Sequence, residues 1–347
     1  MPLSGFASHP SAEPIPEKKE DGPINISSNE NPYGPSPAAR KAMADAIGLS
    51  NRYQWETIRK LMAAIGAKNN LTNDNVLVGA GSSEILDFCV QYAATEKGSF
   101  VVANPTFDRW SGSAEKQGLK KIAVPLTKDK HHDLNAMLKA IQPDTRMVYI
   151  CNPNNPTATI CDHNAIVSFV EEATKKTLVV VDEAYLSYTT EPSLCNLVAS
   201  NKNLVVVKTF SKVYGLAGSR VGYALAHTET IERMGQLRAG ANIGVSAVTM
   251  AGALASLDDN EFVSSTFSLN EKARNFTITE LERLHISCIP SHTNFIYFSL
   301  VNYKPDFFER LKTHNIMGTG IFEEEGKWSR ITVGTMGEME KFIAAIK

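Results

Sequence analysis

At 347 residues the chain is too long for one comfortable hydrophobic core, so two domains, or one domain with a large appendage, are expected. Apolar residues make up 43% and charged residues 21%, an ordinary balance for a globular protein. The formal net charge of −2 gives no basis for nucleic acid or an anionic membrane surface as a partner, and no apolar run approaches the ~20 residues of a membrane-crossing helix.

The first 23 residues are Pro-rich, carry mixed charge and contain no signal-peptide-like apolar stretch. They read as an extended arm or a partly disordered tail of a cytoplasmic chain, with prior removal of a leader left open. Ile24 and Ile26 alternate as in a short strand, and Asn31-Pro32-Tyr33-Gly34-Pro35 is dense in turn residues. Ser36 can cap a helix that begins at Pro37 and runs to about Gly48. A loop at 51–54 and an amphipathic helix over 58–65 follow.

From Val76 the pattern becomes strand, turn, helix. Apolar strands are predicted at 76–78, 100–103, 121–124, 146–150, 178–181 and 204–207, with a helix over 85–92 after the first. Near-continuous apolar strands alternating with helices imply an α/β fold with a mainly parallel sheet covered on both faces. In such sheets ligands bind beyond the carboxyl ends of the strands. The polar runs Gly81-Ser82-Ser83, Asn104-Pro105-Thr106, Asn152 to Thr157, Asp182 to Tyr185 and Thr209 to Lys212 all fall at those ends. Beyond Tyr223 the reading is helices at 229–239, 245–257 and 261–284, strands at 286–289, 294–299 and 329–333, and helices at 306–314 and 336–346. That is a smaller α+β domain, joined by the N-terminal segment.

Lys212 is the candidate for chemistry. It sits among Thr209, Ser211 and Gly215, with Arg220 eight positions on, and reads as an amine held in a polar turn beside an anion: a Schiff-base lysine. Gly81-Ser82-Ser83 at a helix start is either a phosphate site or a simple cap. Thr209, Ser211 and Arg220 can join it around one phosphate, because a guanidinium matches phosphate oxygens. Asp182 ends a wholly apolar strand and needs a cation, either a protonated pyridine nitrogen or a buried Arg or Lys. Asn155 and Tyr185 can donate to a ring oxygen. Phe107 is either a stacking ring or a core aromatic, and Arg330 either a carboxylate clamp or part of a surface ion pair. Glu183 reads as a structural ion pair or cap, His131-His132 as solvated loop residues, and Glu323-Glu324-Glu325 as a solvated loop. The five cysteines, odd in number and without a C-x-x-C pair, suggest neither a disulfide framework nor a zinc site, and no metal is expected.

Taken together and in this order, S-N-E-N-P-Y-G-P (28–35), N-R-Y (51–53), G-S-S-E (81–84), P-N-N-P-T (153–157), D-E-A-Y (182–185), T-F-S-K (209–212), G-S-R-V-G-Y (218–223) and R-I-T-V-G-T (330–335) resemble the pyridoxal-phosphate-dependent aminotransferases of class I/II, nearest the histidinol-phosphate aminotransferase branch. The resemblance runs from about Ile26 to the C-terminus. It implies a fold-type-I architecture: a seven-stranded-type sheet in a cofactor domain over 46–240, an arm and part of the small domain at 1–45, and a small α+β domain at 241–347. It further implies that Lys212 carries the cofactor and shuttles protons, that Asp182 pairs with the pyridine nitrogen, and that Asn155 and Tyr185 meet the phenolic oxygen. Ser82, Ser83, Thr209, Ser211 and Arg220 would hold the phosphate, and Phe107 would stack on the ring. Tyr53 would reach the partner's phosphate in a homodimer, and Arg330 would bind substrate. The substrates implied are an amino donor, amino acid or histidinol-phosphate-like, and a 2-oxo acid such as 2-oxoglutarate, taken in turn by a ping-pong cycle.

Two departures stand out. The family's N-P-T-G closes here on Ala158, which suits a turn with no positive φ at that position. Aligned on Phe322, Gly320 replaces an arginine that helps the family bind the phosphate of histidinol phosphate, so transamination is expected but that substrate is not assured. Decarboxylase or lyase chemistry on the same cofactor, or a non-catalytic regulator with this fold, are the alternatives.

Overall fold

The computed structural model describes residues 22–237, 244–303 and 305–347. The expected N-terminal arm up to residue 21, and the end of the helix expected at 229–239, lie outside the described residues.

Seven strands form the large sheet: β1 (Val76–Gly79), β2 (Gly98–Asn104), β3 (Leu119–Pro125), β4 (Thr145–Cys151), β5 (Leu178–Asp182), β6 (Leu204–Thr209) and β7 (Gly222–Ala226), in the order β1-β7-β6-β5-β4-β2-β3. β7 runs antiparallel to both neighbours, and the other pairings are parallel. β5 and β6 read L-V-V-V-D and L-V-V-V-K-T because β-branched residues suit strands whose two faces are both covered. The register places Cys151 opposite Asp182 and Asp182 opposite Val207, so β4, β5 and β6 end side by side. Lys208 lies next to Glu183 at 3.2 Å, the ion pair expected of that carboxylate.

Separate apolar clusters fill the two faces of the sheet. One takes in Met250, Ala253 and Leu257 of the helix Ala247–Asp258 together with Ile58, Leu61 and Ile65. The core of the sheet domain therefore continues past residue 240, where the sequence reading sets the start of the small domain. Pro37–Ala46, capped as expected by Ser36 Oγ on the Ala39 N–H, packs against that helix, where Gly252 leaves room for Met43.

The smaller domain has a four-stranded antiparallel sheet. Its strands are β8 (Ser287–Cys288), β9 (Phe295–Ser299), β10 (Ile321–Glu323) and β11 (Trp328–Thr332), in the order β10-β11-β9-β8. Ile24–Asn25 pairs with Ile316–Met317, and Ile26 is fully buried in the small-domain core. The stretch 24–26 is thus built into that domain. The helix Asn260–Arg283, about 36 Å long at 1.5 Å per residue, carries Ala273 and Leu281 into the same core.

Three local expectations are corrected. His132 is buried rather than solvated, with its Nε2 at 2.9 Å from the Cys151 carbonyl, because the loop folds against the end of β4. Glu323 belongs to β10 and is not a free loop acid; it pairs with Lys130 at 2.8 Å and accepts from the Tyr297 hydroxyl at 2.6 Å. Ala158 has φ +63°, so the turn after β4 does adopt the left-handed conformation that glycine accommodates best.

Candidate active site

The carboxyl ends of β4, β5 and β6, the start of the helix Ser82–Ala93 and the segment Ser27–Asn31 enclose two adjoining chambers. The first has a volume of about 330 Å³, and its walls include Ser82, Ser83, Phe107, Asp182, Tyr185, Thr209, Ser211, Lys212 and Arg220. The second, about 450 Å³, shares Ser28, Phe107, Tyr185 and Lys212 with the first and adds Asn155, Arg109, Phe322 and Arg330. Residues from both ends and the middle of the chain thus meet at one place, with Lys212 on the boundary.

Lys212 Nζ donates to the Asn29 carbonyl at 3.0 Å and to the Ser28 carbonyl at 3.4 Å. Burial, and then the positive charge of Arg330, bring its ammonium down to about 8. A neutral amine is therefore accessible near neutral pH.

Asp182 is 2% exposed. Its Oδ2 accepts from the Tyr149 hydroxyl at 2.9 Å and its Oδ1 from the Ala184 N–H at 3.0 Å. Burial outweighs these bonds and lifts the carboxyl to about 6. Such a carboxylate is held in place yet has no contact cation among the described residues, so it suits a positively charged nitrogen entering from the chamber.

Tyr185 Oη accepts from Asn29 Nδ2 at 3.0 Å and from Asn155 Nδ2 at 3.3 Å. With both lone pairs taken, its own hydrogen is left to be donated into the chamber. Burial raises its pKa well above the ordinary value, so it stays a donor. Asn155 Oδ1 in turn accepts from Arg330 Nη1.

The other end of the first chamber is an anion cradle. Arg220 Nη1 reaches the Ala217 carbonyl at 3.0 Å and Ser211 Oγ at 3.5 Å, and the Ser211 N–H donates to Thr209 Oγ1 at 3.1 Å. The free N–H groups of the helix beginning at Ser82 complete it. Gly81 has φ +86°, and a Cβ there would lie 2.2 Å from Arg220 Nη2; a Cβ on Gly222 would lie 2.3 Å from the Ser82 nitrogen. Glycine at both positions lets the guanidinium and β7 close over the turn.

Arg330 is 8% exposed and sits mid-strand on β11, opposite Tyr297. It is fixed by Asn155 and by the Ser27 carbonyl, 2.9 Å from Nη2, while its Nε is buried without a partner among the described residues. Its guanidinium lies 5.3 Å from the Phe295 ring centre and 5.0 Å from that of Phe322. It is a chamber residue, so the surface ion-pair alternative does not hold. Gly320 leaves open space, with nothing within 4 Å of a Cβ.

Tyr53 is the exception. It is 80% exposed, stacked on Trp55 at 5.2 Å, and lines a separate cleft with Arg52 and Met250. Within one chain it does not join the other candidates.

The match to known proteins follows this geometry. The sequence model described as aminotransferase class I and II covers residues 21–346. The chain belongs to the class I and II aminotransferases. Histidinol-phosphate aminotransferase 1 of Dechloromonas aromatica is 37% identical over 334 residues, 93% of this chain and 89% of that protein. The histidinol-phosphate aminotransferase of Moorella thermoacetica is 35% identical over 329 residues, 93% of this chain and 84% of that protein. Among solved structures, histidinol-phosphate aminotransferase from Sinorhizobium meliloti in complex with pyridoxal-5'-phosphate has a TM-score of 0.85 at 26% identity, over 93% of this chain and 89% of that one.

Three site residues of this aminotransferase escape the sequence reading. Asn29 bonds Tyr185 and presents its carbonyl to Lys212; it lies within the N-terminal S-N-E-N-P-Y-G-P run, but only its φ of +53° marks it locally. Tyr149 looks like any strand aromatic until Asp182 is seen beside it. Its ring packs on Trp110 at 4.9 Å, and Trp110 Nε1 donates to the Phe107 carbonyl, bracing both residues from behind. Arg109, two positions after Phe107, gives no signal at all.

Proposed function

We propose that this chain is a pyridoxal-phosphate-dependent aminotransferase that moves an amino group from an amino acid or a histidinol-phosphate-like donor to a 2-oxo acid such as 2-oxoglutarate, by a ping-pong cycle. The observation that carries this reading is one chamber holding an accessible amine, Lys212, between a buried carboxylate, Asp182, and an anion cradle at Arg220. The residues fit the cofactor: Arg220, Ser211, Thr209, Ser82 and Ser83 would hold its phosphate, Asp182 its ring nitrogen, Asn155 and Tyr185 its ring oxygen, and Phe107 one ring face. When bound, pyridoxal phosphate supplies a carbonyl carbon that exchanges amines and a ring that accepts the electrons released at the substrate α-carbon.

The chain's own groups do the rest. Asp182, held by Tyr149 and Ala184, would keep a proton on the cofactor's ring nitrogen. Tyr185 would donate its hydroxyl hydrogen to the ring oxygen, with Asn29 and Asn155 fixing its direction. Lys212 Nζ, neutral in a large fraction near its depressed value of about 8, takes the α-proton of the donor and returns it. Arg330 would orient the substrate through the carboxylate of an amino or oxo acid, or through the equivalent end of a histidinol-phosphate-like donor, and the rings of Phe295 and Phe322 lie beside that guanidinium.

The active unit in this reading is a homodimer in which Tyr53 reaches the partner's phosphate. Exposed Ile47, Leu49, Tyr53 and Trp55 on one short stretch support such a contact. Cytoplasmic residence is part of the same proposal, in keeping with Cys89, Cys151, Cys161 and Cys195 buried as small apolar groups. No helix among the described residues is long and apolar enough to cross a membrane.

The test is a half-reaction panel. The visible band of the cofactor-loaded protein should be lost on adding amino donors and return with 2-oxoglutarate, and Lys212→Ala should slow this by on the order of 10⁴-fold. Inertness toward every amino donor would favour decarboxylase or lyase chemistry, and a monomeric loaded enzyme would remove Tyr53 from the site.

A further inference from the structure

The second chamber is rich in positive charge. Lys212 and Arg330 stand on its inner side, and Arg109 stands on the loop that follows β2. The acid next to Arg109 in sequence is already engaged, since Asp108 pairs with Lys121. Among the described residues no carboxylate or carbonyl meets the Arg109 guanidinium, and its side chain is exposed. The positive charge of Arg109 also makes the Arg330 guanidinium easier to deprotonate, second to burial among the effects lowering it, so the two charges act on a common space.

The two arginines differ in how they are held. Arg330 is pinned by Asn155 and Ser27 beside the lysine, so whatever it binds has a fixed position close to the reacting carbon. Arg109 is unpinned, on a long aliphatic stem. On the small-domain side, Gly320 contributes no side chain to the chamber's surroundings. An unpaired cation facing a chamber in which the other free charges are also positive calls for an anion from the ligand, and the forked donors of a guanidinium bind carboxylate and phosphate equally well.

We propose that Arg109 is the specificity-determining anchor for a second, distal anionic group on the substrate, so that the chamber favours amino and oxo acids bearing a carboxylate or phosphate at the end remote from Arg330. This rests on the aminotransferase reading of the same site. The acidic end would be met from the sheet domain at Arg109, and the α-carboxylate from the small domain at Arg330.

The test measures binding, not turnover. Cofactor-loaded wild type, Arg109→Gln and Arg109→Lys are titrated with glutarate, 4-phosphonobutyrate and butyrate at low salt, following the visible band. Wild type should bind the two dianionic acids more tightly than butyrate. R109Q should weaken both by roughly tenfold or more, the scale of a charged hydrogen bond, and leave butyrate unchanged, with R109K in between. A larger loss for 4-phosphonobutyrate than for glutarate would identify phosphate as the favoured distal group, and the reverse would identify carboxylate. An equal loss for all three acids, no loss, or a wild type that does not distinguish glutarate from butyrate would overturn the proposal. A visible band that fails to form with the cofactor would instead count against the aminotransferase reading, which separates the two failures.

Discussion

The two walls of the site are built on opposite principles. On the sheet-domain wall of the first chamber the polar groups are tied to one another: Asp182 takes bonds from Tyr149 and Ala184, Tyr185 takes two, and Ser211 binds Thr209. Around the second chamber groups are left unsatisfied: Arg330 has a buried Nε with no partner, and Arg109 meets no acid among the described residues. A wall whose donors are fixed beforehand costs little reorganisation when a ligand of constant shape arrives. A wall with spare cations takes its missing partners from the ligand. The first design suits a resident cofactor, the second a substrate that changes between half-reactions.

The largest test of this contrast is Asp182→Asn. If the first wall is built around a charge, activity should fall by roughly 10²-fold or more. The cofactor-free protein should respond in the opposite sense. The Asp182 carboxyl is raised to about 6 in the fold, so between the ordinary carboxylate range and pH 6 the folded chain keeps a proton that the unfolded chain has lost. Stability therefore falls as pH rises through that window, and the full cost, on the order of 2–3 kcal/mol, is present above it. The amide variant removes that cost: urea unfolding of the cofactor-free protein should find it more stable than wild type at pH 7.5 and not at pH 4. A gap independent of pH would break the argument.

Next in size is Tyr149→Phe. It deletes a buried hydroxyl that donates to Asp182 and also meets the Cys151 thiol, and should weaken cofactor binding by about tenfold, with the substrate acids less affected. Absorbance titration of the cofactor-free protein measures the first effect. If cofactor affinity is unchanged while the substrate acids weaken, the division between the walls is drawn in the wrong place.

The smallest effect belongs to Ala158→Gly at the turn that carries Asn155. Relief at φ +63° should raise stability by about 0.5 kcal/mol after the loss of a buried methyl, visible as a small increase in the urea midpoint with activity unchanged. A loss of stability would show that packing of the methyl against Tyr185 and Phe295 outweighs the backbone strain.

The legibility of the site follows the same division. The apolar strands and the polar residues at their ends are readable because a buried strand admits a carboxylate such as Asp182, or a lysine just beyond it, only where something binds. Asn29, Tyr149 and Arg109 are not readable, since each matters through a neighbour remote in sequence or through a chamber wall that no local pattern describes. His132 and Glu323 are misread for the same reason: both look like loop residues, and only their contacts with the end of β4 and with Lys130 and Tyr297 bury them.

The α/β architecture, the lysine with its strand-end companions, and the family are all written in the chain itself, because hydrophobic periodicity and turn chemistry are local properties that survive without coordinates. Which groups touch is a different kind of fact, and packing settles it. The N-terminal segment lies over Lys212, the sheet-domain core reaches beyond residue 240, the turn at Ala158 is left-handed, and Arg109 shares a chamber with Arg330. Those are statements about distance between remote parts of the chain and about the backbone it forces. They depend on how strands and helices pack, which the spacing of residues along a sequence does not encode.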